Sequence, residues 1–355
     1  MTRLNTLFAA RPGFAAGHML GAAACLLGCA LPGLAQAQSS VTIFGTMDLN
    51  LTFSKAGGQS NTAMDQGGSL QPSRIGFRGV EDIGKGLKAG FWLETAVLPD
   101  TGAQQGVLFH RRATLSLESN TAGELRLGRD YVPTFWNLSK FSPLGTSGVG
   151  GAANIVDSYP FGLGGARNLV RANNSVGYFL PKDLGGLYGQ AMYAAAEGAD
   201  GTRYTGLRLG YASGPFDIAA AYGQTPTAGQ TLKVSTVGAS YAFSGWSLMG
   251  YVFQQNTGTD KQVNALIGAI IQAGNGSIRT SFAKSRRSGA GVDGDDAHQL
   301  AVGYIYPLSK RTALYGTYSH ISNKGNAAYI TADSSPAATP GGKASGLQFG
   351  FLHNF

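Results

Sequence analysis

The chain has 355 residues, 54 of them Gly, with 43% apolar and only 13% charged side chains, a formal net charge of +8 and a mean hydropathy of −0.03. An ordinary soluble domain carries about 7% Gly and about 25% charge, so glycine is doubled and charge halved, yet no Gly-x-y period accompanies the glycine and collagen is excluded. The 15 Tyr, 18 Phe and 3 Trp supply more aromatic surface than a disordered chain carries.

In chain order, residues 1–37 read as a secretory signal. Arg3 and Arg11 give a basic start, Gly13 to Leu34 is apolar and small, and Ala35-Gln36-Ala37 is a small-x-small pattern, so cleavage is expected before Gln38. A rival reading takes Leu26-Leu27-Gly28-Cys29 as a lipoprotein box that leaves a lipidated Cys29 at the mature N-terminus. Against it, the apolar stretch continues past Cys29 and strand-like sequence follows Ala37 almost at once. Cys25 and Cys29 both fall in this segment, so the processed chain would have neither a disulfide framework nor a thiolate metal site. Losing Arg3 and Arg11 leaves 25 basic against 19 acidic residues, a formal +6, scattered rather than clustered as nucleic-acid binding requires.

From Val41 the pattern becomes alternation. Val41, Ile43, Met47, Leu49, Leu51 and Phe53 share one face, and Thr42, Thr46, Asp48, Asn50 and Thr52 share the other, the period of a strand with one apolar side. Ile75 and Phe77 alternate with Arg74 and Arg78, and Leu87, Ala89, Phe91 and Leu93 with Lys88, Trp92 and Glu94. The pattern returns at Leu207 to Tyr211, at Val263 to Ile271 and at Leu300 to Tyr306. The Val263 to Ile271 run is the longest strongly apolar one, far short of the ~20 residues of a spanning helix. About 16 such segments fit the mature length at roughly 20 residues for each strand with its connection.

Three features favour a membrane barrel over a soluble sandwich. Connections come in two sizes: short, as at Glu81 to Gly86 and Leu308 to Arg311, and long and polar, as at Ala56 to Gln71, Arg286 to Ala297 and Asn323 to Lys343. Aromatic residues gather near strand ends (Tyr178, Tyr211, Tyr241, Phe243, Tyr304 and Tyr306), as interfacial girdles require. The chain also ends on one apolar face, with Leu347, Phe349, Phe351, His353 and a terminal Phe355, an ending that resembles the assembly signal of outer-membrane barrels, a role the resemblance gives to Phe351 and Phe355.

These segments carry a resemblance. Ser40-Val41-Thr42-Ile43-Phe44-Gly45, the run Ser73-Arg74-Ile75-Gly76-Phe77-Arg78-Gly79-Val80-Glu81-Asp82-Ile83-Gly84-Lys85-Gly86-Leu87-Lys88-Ala89, Leu127-Gly128-Arg129-Asp130-Tyr131, Arg171-Ala172-Asn173-Asn174-Ser175-Val176-Gly177-Tyr178 and Leu308-Ser309-Lys310-Arg311-Thr312 stand in an order that resembles the Gram-negative trimeric porin family over residues 38–355. The resemblance implies an all-β, 16-stranded antiparallel barrel in the cell outer membrane and a homotrimer. It also implies insertion by the barrel assembly machinery, contact with outer-membrane lipid and lipopolysaccharide, and a third external loop folded into the pore. Residues 130–170 suit that loop: alternation is absent, Pro133, Pro143 and Pro160 punctuate it, and it carries Phe135, Trp136, Phe141, Val149, Ile155 and Phe161.

The resemblance further implies a constriction in which basic wall residues oppose acids. Arg74, Arg111 and Arg171 match the basic wall, with Arg112, Arg78 and Arg129 as alternates; a basic residue that some relatives carry in the first strand is Thr46 here. Arg171 shares parity with Asn173, Ser175 and Gly177, which points it inward. Arg111 shares parity with Ala113, Leu115 and Leu117, an outward series that would send Arg112 into the pore instead. Asp48 and Glu94 are inward by parity, and between Pro133 and Val170 the only acid is Asp157, against Lys140 and Arg167. Such a ring concentrates anions, so a water-filled channel for ions and small hydrophilic solutes with anion preference is expected, a sugar- or organic-anion-selective channel being the alternative. Any one inward arginine could instead pair with Asp48, Glu94 or Glu118 and brace the wall.

Other chemistries are poorly served. Asp293, Asp295 and Asp296 lack the remaining spacing of a calcium loop, and the glycines of 145–151 and 162–165 neither follow a strand nor open a helix. His110, His298, His320 and His353 adjoin no nucleophile motif, so neither an enzyme nor a cofactor is expected. An adhesin or gated receptor would need a plug domain or long extension.

Overall fold

Large apolar and small polar residues alternate along almost every segment, and that alternation builds the wall. The computed structural model describes residues 40–65, 70–156, 168–227 and 229–355. The signal segment, Asp157, Phe161 and Arg167 lie outside the described residues. Among the described residues the strands are β1 (Ser40–Ala56), β2 (Gln59–Asp65), β3 (Arg74–Gly84), β4 (Leu87–Leu98), β5 (Ala103–Gln104), β6 (Arg112–Ser119), β7 (Gly123–Tyr131), β8 (Arg171–Phe179) and β9 (Leu187–Ala194). They continue with β10 (Tyr204–Ser213), β11 (Phe216–Thr227), β12 (Gln230–Phe243), β13 (Trp246–Asn256), β14 (Lys261–Ala273), β15 (Gly276–Ser288), β16 (Ala297–Pro307), β17 (Thr312–Asn323) and β18 (Lys343–Asn354). One helix, α1 (Pro133–Lys140), follows β7.

Every neighbouring pair is antiparallel, and β1 closes the ring against β18 from Thr46↔Asn354 to Ala56↔Ala344. β2 and β3 occupy a single wall position, pairing with the two ends of β1, and β5 is a two-residue addition to β4. The wall therefore has sixteen strands, and closure leaves no exposed edge. The stretch Ala56 to Gln71 is accordingly not all connection, because β2 lies within it, and β3 runs on to Gly84, so the short turn is only Lys85 and Gly86. Ser244 and Gly245 make a two-residue turn between Phe243 and Trp246, with Gly245 at φ +80°, a conformation favouring glycine.

The outward face is apolar: Ile267 is 56% exposed and Phe349 53%, while the polar parity is covered, with Gln262 and Gln348 at 0%. Phe243 stacks on Trp246 with centroids 4.1 Å apart and meets Tyr241 at 4.5 Å, forming part of an aromatic girdle at the short-turn end. No described helix is long and apolar enough to cross a membrane; strands do the crossing.

What covers the polar parity is largely the segment after β7. Pro133 at the first turn starts α1 where a missing N–H costs nothing, and the Phe141 N–H closes it on the Asn137 carbonyl at 3.1 Å. Gly238, Gly268, Gly303 and Gly346 then stand at successive even-numbered strands; a Cβ on Gly238, Gly268 or Gly346 would strike Phe141, Pro143 or Val149 in turn, and one on Gly303 would press on Leu144. This glycine furrow seats the segment, and polar side chains pin its backbone. Arg279 donates to the Pro143 carbonyl (3.0 Å), Gln262 to that of Ile155 (3.2 Å) and Gln299 to that of Val149 (3.3 Å). Phe141, Val149 and Ile155 are buried as a result.

Candidate functional site

The chain brings four guanidinium groups and one carboxylate together where β3, β4, β6, β7 and β8 approach the long-loop end. Arg74 opens β3 opposite Thr46 and Ala96, and Glu94 stands on β4 opposite Gly76, so both side chains share the polar parity of β1. Arg171 opens β8, and the Val132 N–H donates to the Val170 carbonyl at 3.1 Å, clasping the base of the intervening segment so that Tyr131 and Arg171 meet.

Tyr131 is the bridge. Its hydroxyl accepts from Arg111 Nη2 at 2.8 Å and from Arg171 Nη2 at 2.7 Å, using both oxygen lone pairs. The Arg171 guanidinium also lies over the Tyr131 ring at 4.3 Å. The ring is itself held by stacking on Phe135 and tilting against Trp136 of α1, at 5.4 and 5.2 Å. Glu94 anchors the other side: Arg111 Nε donates to its Oε1 at 2.5 Å, Arg74 Nε stands 3.8 Å away, and Trp92 Nε1 donates to Oε2 at 3.0 Å. Arg74 reaches the Gln71 Oε1 as well (2.6 Å). Arg129 extends the cluster, donating to the His110 carbonyl and to Asn173 Oδ1.

The bracing contacts are therefore present, but they are incomplete. Glu94 serves Arg74 and Arg111, whereas Arg171 has no carboxylate partner among the described residues. Among the described residues four cations face one acid, and guanidinium forks match oxyanions geometrically.

The parity reasoning meets two irregularities. Arg111 and Arg112 both turn inward: Arg111 precedes β6 and escapes its alternation, while Arg112, the first residue of the strand, lies 4.6 Å over Trp92 and 3.7 Å from Asp130. Arg126 bonds Asp130 and Glu124, so the charge of this lower group is offset. For Arg171 the alternation is broken before it arrives, since Asn174 takes φ +52°, the β7–β8 register shifts after Gly128, and Ala172 rather than Asn173 is buried. Arg171 reaches the cluster from the strand end.

Asp48 departs from the expected water-facing acid. It is 0% exposed, and its carboxylate accepts the N–H groups of Leu70 (3.0 Å) and Gln71 (3.1 Å) and the Tyr315 hydroxyl. It thereby fixes Gln71, which holds Arg74. Arg78 is exposed and lies 5.4 Å over both Phe44 and Trp92. Sequence reasoning missed the bridging role of Tyr131, although the residue sits in a noted motif. It also missed a second group in which Lys140 pairs with Asp217 (2.5 Å), Tyr188 donates to Asp217 (2.6 Å) and Arg208 donates to Asn137 of α1 (2.7 Å).

His110, in the loop before β6, is pushed down to about 4 by burial and then by the Arg171, Arg111 and Arg129 guanidiniums. An imidazole whose folded pKa lies below its unfolded value of 6.5 costs stability as pH falls from about 6.5 towards about 4, where the unfolded chain binds the extra proton. It is uncharged near neutrality. His110→Gln is expected to leave ion selectivity unchanged at about pH 5.5 and about pH 7.5, whereas an ordinary histidine would add charge at the lower value. Reversal potentials of the two proteins at both values check this, and a gap appearing only at the lower pH would refute it.

Comparison with known proteins bears directly on this arrangement. The family model described as Gram-negative porin matches residues 22–326. Outer membrane porin protein 32 of Delftia acidovorans is 36% identical over 348 residues, covering 92% of this chain and 97% of the relative. Among solved structures, the anion-selective porin from Comamonas acidovorans is 32% identical with a TM-score of 0.77, covering 90% of this chain and all of that one. The in-vitro folded outer membrane protein OmpT of Vibrio cholerae, in its trimer form, shares the fold at 14% identity, with a TM-score of 0.62 over 89% of this chain and 99% of that one.

Proposed function

The chain belongs to the Gram-negative porin family and is an outer-membrane β-barrel, and from that premise we propose that it passes small hydrophilic solutes by diffusion and favours anions over cations. One observation carries the preference: of Arg74, Arg111, Arg129 and Arg171 only the first two reach a carboxylate, that of Glu94, and Arg129 and Arg171 lack an acidic partner among the described residues. The segment 132–156, seated in the glycine furrow on the polar parity of the wall, supports the reading that residues 130–170 narrow the lumen opposite these arginines. An anion meeting the narrowed section encounters fixed positive charge beside low-dielectric walls, which strengthens attraction and repels cations. The family relationship and the anion selectivity in the name of the solved relative point the same way.

Single-channel recordings in a planar bilayer test the reading. A salt gradient should give a reversal potential of anion-selective sign, and a cation-selective wild-type pore, or no conductance at all, would overturn it. The assembly is a homotrimer in this proposal, checked by a heat-modifiable band of three times the monomer mass. Residues 1–37 are the export signal, so intact mass of protein from outer membranes is expected to begin at Gln38 without lipid. An acylated Cys29 would refute this.

A further inference from the structure

The first strand is covered unevenly along its length. β2 pairs with β1 from Asn50↔Asp65 to Ala56↔Gln59, and β3 pairs with it from Ser40↔Val80 to Thr46↔Arg74. Met47, Asp48 and Leu49 pair with β18 on one side, but among the described residues no strand faces them on the other. The wall is interrupted there, two residues beyond Thr46, the partner of Arg74.

An interruption frees backbone groups that have to be paired again, and side chains do it here. The Ser73 hydroxyl donates to the Asp48 carbonyl and accepts from the Asp48 N–H, both at 2.9 Å. The buried Asp48 carboxylate accepts the Leu70 and Gln71 N–H groups on Oδ2, at 3.0 and 3.1 Å, and the Tyr315 hydroxyl on Oδ1. One acid thus locks the inserted chain to β1 and, through Tyr315, to β17.

This lock fixes the acceptor of an arginine. Gln71 Oε1 accepts from Arg74 Nη2 at 2.6 Å, whereas Glu94 Oε1 stands 3.8 Å from Arg74 Nε. The two acceptors differ in kind. A glutamine carbonyl holds a guanidinium without cancelling its charge, while a carboxylate at hydrogen-bond distance offsets much of it.

We infer that Asp48 is a positioning residue for selectivity, an acid whose presence raises anion preference because it fixes Gln71 and Gln71 holds Arg74 off Glu94. The inference rests on the anion-selective channel proposed above. It reverses the sign that charge alone assigns. A carboxylate beside a lumen favours cations, so its removal on that count favours anions. Loss of the lock instead lets Arg74 close on Glu94, and favours cations.

Reversal potentials of the folded protein in a dilute salt gradient separate the two. Asp48→Asn keeps an oxygen for the two N–H groups and an amide for the Tyr315 hydroxyl while dropping the charge. Its anion-to-cation permeability ratio is expected at or above that of the wild type. Asp48→Ala drops charge and contacts together, and its ratio is expected about twofold below the wild type, against the direction of the charge change. Gln71→Ala changes no charge and should fall at least as far. Combining the two alanines should lower the ratio no further than Gln71→Ala alone, since groups acting in series are not additive. In an Arg74→Gln background neither alanine should lower it.

A ratio above the wild type for Asp48→Ala would make Asp48 an ordinary opposing charge and overturn the inference. Equal ratios for the alanine and asparagine variants, or a loss that persists in the Arg74→Gln background, would overturn it too. Where Asp48→Ala yields no folded, heat-modifiable barrel, Asp48→Ser takes its place, because one short hydroxyl cannot serve both N–H groups and Tyr315, and the same order is expected. Gln71 lies between β2 and β3, outside the ladder, so its variant tests the second link independently. The sign of the wild-type reversal potential tests the channel reading by itself, so the two failures are distinguishable.

Discussion

In a salt gradient, Arg74→Glu combined with Arg171→Glu is expected to move the reversal potential from the anion-selective to the cation-selective side. The pair changes four units of charge in a cluster whose other fixed charges among the described residues are Arg111, Arg129 and Glu94. A unit charge about 8 Å from an ion in water contributes about 0.5 kcal/mol, so four units shift an ion's energy by about 2 kcal/mol before screening. A tenfold ratio needs only about 1.4 kcal/mol, so the change in permeability ratio is expected to reach tenfold. Screening sets the condition: the Debye length falls from about 30 Å at 0.01 M salt to about 3 Å at 1 M, so the shift is largest in dilute salt. Unchanged reversal potential with normal conductance would remove these arginines from the selectivity mechanism. Altered conductance alone would identify them as wall braces, a role that Glu94 already supplies to Arg74 and Arg111.

Strand identity was legible because a barrel wall needs one apolar and one polar side, and period-2 alternation records that requirement directly. Val41 to Phe53 shows it, and from Thr46 to Phe53 the covered and uncovered faces of β1 follow the two sets, whereas Thr42 is exposed along with Val41 and Ile43. Position within a strand was legible only while the strand was regular. Arg111 lies before β6 and Arg171 lies beyond the irregularity at Asn174, so counting residues mispredicts one and places the other for an incomplete reason. Asp48 shows a further limit, because parity gives a direction but not a partner; its carboxylate is consumed by two backbone N–H groups and a tyrosine more than 260 residues away. Tyr131 and the glycine furrow were invisible for the same reason. The furrow joins four strands that are distant in sequence to one segment, and nothing local in Gly238 or Gly346 announces Phe141 or Val149.

Deleting Phe355 is expected to cut the yield of folded, heat-modifiable barrel at least tenfold while synthesis is unaffected. The residue sits on the seam where the first and last strands close the ring. Its N–H donates to the Gly45 carbonyl and its carbonyl accepts from the Gly45 N–H, both at 3.1 Å, and its ring lies where a Cβ on Gly45 would have to be. Just before it, the Asn354 N–H donates to the Arg311 carbonyl at 2.8 Å, and Thr46 donates to the Asn354 side chain at 2.8 Å. Removing the last residue strips two backbone bonds from the closing pair and leaves β1 with an unpaired stretch, in lipid the most expensive place for unsatisfied backbone groups. It also removes the aromatic end of an outward series in which Phe349, Phe351 and Phe355 are 53%, 47% and 43% exposed, the surface available to an assembly factor before insertion. Two substitutions separate the contributions. Phe355→Ala keeps both backbone bonds and loses the ring, whereas Phe355→Tyr keeps the ring; if aromatic recognition governs insertion, the alanine variant fails with the deletion and the tyrosine variant assembles. If seam closure governs it, only the deletion fails. Normal yield of folded barrel from the deletion, measured by the heat-modifiable band against total protein, would show that neither the seam nor the terminal ring is required.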